Sequence, residues 1–129
     1  MKSIAVRVLT FSLLFLIAGC STLSDVQHSK GTGTSKVYDK PYDVVWNTVV
    51  DDVKKLGLVV VFTNKESGNI LANSPTSAFS AGGNVAVFVE DLGGKVKTRV
   101  EVVSKRVLAT NLLAPNWEKR IFADLDKQL

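Results

Sequence analysis

With one cysteine, Cys20, and one histidine, His28, this 129-residue chain cannot close a disulfide within itself or assemble a metal site from His and Cys ligands. A Ser-His-Asp arrangement would have to draw on His28, and no G-x-S-x-G turn is present to raise a nucleophilic serine. Paired carboxylates are scarce too. Asp51 and Asp52 are adjacent and point in different directions on a helix, and Glu90 and Asp91 fall where a hairpin turns. The pattern predicts no catalytic site, no metal and no cofactor. No apolar run reaches the about 20 residues that cross a bilayer as a helix. The net charge of +4 is weak and gives no support to nucleic-acid binding, which needs a clustered basic face. Three prolines, nine glycines and 46% hydrophobic residues instead fit one small globular domain with appendages.

The first twenty residues contain no acid and carry Lys2 and Arg7 ahead of a short apolar stretch, Val8 to Gly19. A positive head before a run too short to span a membrane reads as a secretory signal. Leu16, Ile17, Ala18, Gly19 and Cys20 resemble the lipobox of bacterial lipoproteins. That resemblance implies diacylglyceryl transfer to the Cys20 sulfur, cleavage between Gly19 and Cys20, and acylation of the new amino terminus. A multiply acylated Cys20 binds a membrane almost permanently, because two or more chains suffice for stable anchoring. In such lipoproteins an Asp after the cysteine commonly marks retention in the inner membrane. Here the residue is Ser21, so the resemblance implies the periplasmic face of the outer membrane of a Gram-negative bacterium.

Residues 20–35 are polar, rich in Ser, Thr and Gly, and without periodicity. They are expected to form a flexible tether averaging about 20 Å end to end, with His28 solvated within it. Residues 36–129 read as a single α+β domain. "SKVYDK" predicts a strand, and Pro41 the first turn of a helix whose stripe is Tyr42, Trp46, Val49, Val53 and Leu56, with Gly57 as its stop. "LVVVFTN" and "ILANS" form one predicted hairpin, "VAVFVED" and "KVKTRVEVVSK" a second. In the last strand Val96, Thr98, Val100 and Val102 alternate with Lys97, Arg99 and Glu101, which predicts one wet sheet face. Pro115 is expected to open a final helix with Trp117, Ile121, Leu125 and Leu129 in its stripe. The predicted architecture is a two-layer sandwich of four to five antiparallel strands, order β-α-β-β-β-β-α, with both helices on one face. "YDVVW", the Leu56-Gly57 stop and the Gly68, Ile70, Ala72 hairpin resemble small helix-grip lipoproteins, similar to a lipoprotein component of the outer-membrane β-barrel assembly machine.

Without catalytic residues, the expected role is a binding or accessory module for another cell-envelope protein, held to the membrane through Cys20. The alternatives are a carrier or sensor of a small apolar ligand, and an envelope hydrolase. Leu58 to Phe62 is apolar on both faces. Either Val59 and Val61, or Leu58, Val60 and Phe62, joined by Phe88, are expected to form a partner surface, unless the strand lies centrally and covered. The loop "PTSAFSAGGN" offers Phe79 as a second contact, the alternative being an ordinary hairpin connection with Phe79 tucked into the core. Leu112 and Leu113 in the connection before the last helix are expected to cap the core, the alternative being the membrane interface.

Overall fold

The computed structural model describes residues 22–78, 80–94, 96–108 and 113–129. Gly19, Cys20, Phe79 and Leu112 lie outside them. The elements are α1 (Leu23–Gln27), β1 (Thr34–Tyr38), α2 (Tyr42–Lys55), β2 (Val59–Asn64), β3 (Asn69–Ser74), β4 (Gly83–Asp91), β5 (Thr98–Arg106) and α3 (Trp117–Gln128). The strands make one antiparallel sheet in the order β1-β5-β4-β3-β2, so the fold is α+β.

The two long helices form where the apolar stripes predict them. Val45, Trp46, Val49 and Val53 from α2, with Trp117, Ile121, Phe122 and Leu125 from α3, meet Ile70, Ala72, Val85, Val87, Val100 and Val102 on one sheet face. Asp43 in the first turn of α2 and Lys54 and Lys55 in the last complement the helix dipole. The prolines sit slightly earlier than expected. Pro41 is the N-cap residue of α2, and Pro115 precedes Asn116, whose side chain caps α3 by accepting from the Lys119 N–H at 3.0 Å. Val96 lies in the β4–β5 turn and is exposed, since β5 begins only at Thr98.

The other sheet face departs from the expectation of a wet surface. Residues 22–33, read from composition as tether, are folded across it. Thr22 and Asp25 close a capping box: the Asp25 N–H donates to the Thr22 hydroxyl at 3.3 Å, and the Thr22 N–H donates to Asp25 Oδ2 at 2.6 Å. The Thr22 N–H and then the Thr22 hydroxyl, both donating to Asp25 Oδ2, hold that carboxyl below its ordinary range. Val26, fully buried, then seats among Leu71, Ala86, Phe88 and Val103, with Leu23 beside it. Burying one such side chain contributes about 1.5–3 kcal/mol, enough to order a short segment that composition alone leaves free.

A buried carboxylate fixes the return of the chain. Glu101, 5% exposed, accepts from the backbone N–H groups of Gly31 at 2.6 Å and Gly33 at 3.1 Å through Oε1. Gly33 must lack a side chain, because a Cβ there would lie 2.1 Å from the Val102 carbonyl oxygen. Glu101→Gln keeps an acceptor but loses its charge, and is expected to cost about 1 kcal/mol in chemical denaturation. The Gly31 and Gly33 amides should exchange faster with deuterium in that variant, while those of β4 should not.

Candidate binding surface

The two edges of the sheet are guarded differently. Along β1, the Thr34 hydroxyl donates to Glu118 Oε2 at 2.5 Å, Lys36 pairs with Asp126, and the Tyr38 hydroxyl donates to Asp126 Oδ1 at 2.9 Å. The hydrogen bond from Lys36 holds the Asp126 carboxyl low, while burial, aided by Asp126, pushes the Tyr38 phenol up. An edge that carries a lysine and is fastened to a helix resists the addition of a foreign strand.

β2, at the opposite edge, has no such guard. Its residues Val59 to Thr63 carry no charge, and among the described residues no strand neighbours its outer backbone groups. Val59 pairs with Asn73 and Val60 with Ala72, but Phe62 pairs with Leu71, leaving Val61 as the extra residue of a bulge. The extra residue shifts the alternation. Val60 therefore shares the helix-covered face with Ala72, whereas Val59 and Phe62 share the other face with Asn73 and Leu71. Val59 is 55% exposed, Val61 46% and Phe62 43%, while Leu58 is buried. Val59 and Val61 are both exposed, whereas the alternative set of Leu58, Val60 and Phe62 is split. The exposed surface takes Val59 and Val61 from one and Phe62 from the other, and the strand is an edge rather than a covered centre. Beside Val59, the Asn73 side-chain oxygen is buried and has no hydrogen-bond partner among the described residues.

Phe88 is corrected. It packs beneath Val26 at 4% exposure, on the sheet face that α1 covers, and contributes nothing to the surface. Leu113 is corrected as well, since it is 71% exposed and caps no core. Both differences follow from the chain packing where polarity and apolarity did not predict it.

The titratable groups are spread over the molecule. His28 ends α1, with Nδ1 2.8 Å from the Ser24 carbonyl oxygen. Glu90 accepts from Arg99 at 2.5 Å, which holds its carboxyl low. Among the described residues, no group of three His, Cys, Asp or Glu side chains converges as metal ligands. Asp51 is exposed, but Asp52 is fully buried in the seam between α2 and α3. The Gln128 amide donates to Asp52 Oδ1 at 3.0 Å and also reaches Asp124 Oδ2 at 3.5 Å. Burial first, then a hydrogen bond with the Asp124 carboxyl, pushes Asp52 up to about 7. Among the described residues no donor reaches Asp52 Oδ2. The sequence does carry a signal for this burial, because position 52 follows Val49 by three, within the apolar stripe.

Known protein families include none that matches this chain, and no curated protein is significantly similar to it in sequence.

Proposed function

We propose that the chain is a lipid-anchored outer-membrane lipoprotein whose periplasmic domain is a non-catalytic docking module for another envelope protein. The observation that carries the docking role is the uncharged, unpaired β2 edge with Val59, Val61 and Phe62 exposed. Anchoring rests on the lipobox residues that end at Cys20. Between the sheet and the two long helices the space is filled by closely packed side chains, among them Val45, Val49, Ile70, Val87 and Leu125. That filling favours a docking surface over the carriage of an apolar ligand in the same place.

A photocrosslinking residue placed in the full chain at Val61, in intact cells, is expected to yield one adduct of discrete mass. The same residue at Val37, exposed on the β1 edge, should yield none. Phe62→Lys should abolish the adduct with the melting temperature nearly unchanged, and Cys20→Ser should move the protein from the membrane to the soluble fraction. Equal adducts at both edges would overturn the docking surface, and a Cys20→Ser chain that stays with the membrane would overturn the anchor.

A further inference from the structure

We infer that the sheet end from which β5 departs rests against the lipid surface, with Leu108 and Leu113 in its interfacial layer. This rests on acylation of Cys20. The inference follows from where the folded chain begins. Thr22 already belongs to the capping box of α1, so only two residue steps, at most about 7 Å, separate it from the acylated sulfur-bearing residue. α1 is itself pinned to the sheet by Val26. Its first turn lies at a known end, since the Lys105 ammonium donates to the Asp25 carbonyl at 3.4 Å.

Lys105 and Arg106 are the last residues of β5, opposite Asn84 and Gly83. The chain leaves the sheet there, where the Val107 N–H donates to the Gly82 carbonyl at 3.3 Å. Leu108 follows at 44% exposure, and Leu113 at 71% stands just before Ala114 and Pro115, which line a small crevice with Gly82, Gly83 and Arg106. Two exposed leucines beside two cations make a surface with apolar residues to insert and positive charge for acidic head groups. The opposite end also exposes Leu92 and Val96, but a nine-residue strand holds it about 30 Å from the first. A leash of two residues holds the first turn of α1, and with it the Lys105 end of the sheet, nearest the bilayer. The surface therefore has one occupant, the lipid to which the chain is tied.

Acylation blocks the thiol of Cys20, so a new cysteine is uniquely labelled. The full lipidated chain bearing Leu108→Cys, Leu113→Cys or Leu92→Cys, each carrying a polarity-sensitive dye, is placed in phosphatidylethanolamine and phosphatidylglycerol vesicles containing doxyl-labelled lipid. Circular dichroism should match the parent chain, since all three side chains are exposed. Dyes at 108 and 113 should shift to the blue and be quenched severalfold more than the dye at 92. Equal quenching at all three positions, or water-like emission at 108 and 113, would overturn the orientation while the intact-mass lipid signal leaves the anchor standing. A blue shift without quenching that grows with protein density would assign the surface to a second copy instead. A purified chain whose mass shows no lipid would remove both the anchor and the orientation.

Discussion

Val26→Asp is expected to release residues 22–33 from the sheet and to lower the unfolding free energy by about 2–4 kcal/mol. The side chain it replaces is fully buried against Leu71, Ala86, Phe88 and Val103. An ionised carboxylate left in that site unpaired would cost several kcal/mol. The chain has a cheaper escape. The segment lies at one end of the folded domain and can detach, which limits the loss to what docking contributes and leaves the main core between sheet and long helices intact. Detachment also strips Glu101 of the Gly31 and Gly33 N–H groups. Protease should then cut at Lys30, and hydrogen exchange at Gly31 and Gly33 should become fast while β4 and β5 stay protected. Protected Gly31 and Gly33 amides in a variant of unchanged stability would contradict this account.

The second large effect is a dependence on pH of unusual sign. The Asp52 carboxyl is held up to about 7 by burial and by Asp124, against an ordinary value of 3.8. Between about pH 4 and pH 7 the folded chain therefore keeps a proton that the unfolded chain has released. Stability from this group is complete below about pH 4 and is lost as pH rises through 7. After allowance for solvent screening near the helix ends, the loss is on the order of 1–2 kcal/mol. Asp25, Glu90 and Asp126, held low by their hydrogen bonds, act oppositely, and only in more acidic solution. Denaturant midpoints should thus fall from about pH 5 to about pH 8. Asp52→Asn, which keeps the Gln128 contact without the charge, should stabilise the protein at about pH 8 by a similar 1–2 kcal/mol and flatten the slope. A slope unchanged in the variant would place the titration elsewhere.

Helix and strand periodicity made the main layer legible, because Trp46, Val49, Val53, Ile121 and Leu125 each repeat at spacings that only one face can satisfy. The amino-terminal segment was not legible from composition. Its order depends on one valine and on a glutamate about 70 positions away, although the Thr22 to Asp25 spacing is a capping signal in itself. The exposed β2 edge was half legible. An apolar run on both faces pointed to Val59 and Val61, but a bulge leaves no mark in sequence, so the partition of Val60 and Phe62 could not be read. Asp52 shows the same limit: its place in the stripe is local, whereas Asp124 reaches it only through packing of two helices far apart in the chain.

The extra residue at Val61 also bears on self-association. The proposed lipid attachment would confine molecules to two dimensions, where open strand margins of neighbouring copies would meet often and flat ones zip into growing ribbons. A kink in the middle of that margin breaks the register after two or three residues on either side. A kinked margin of this kind disfavours ribbon growth between copies.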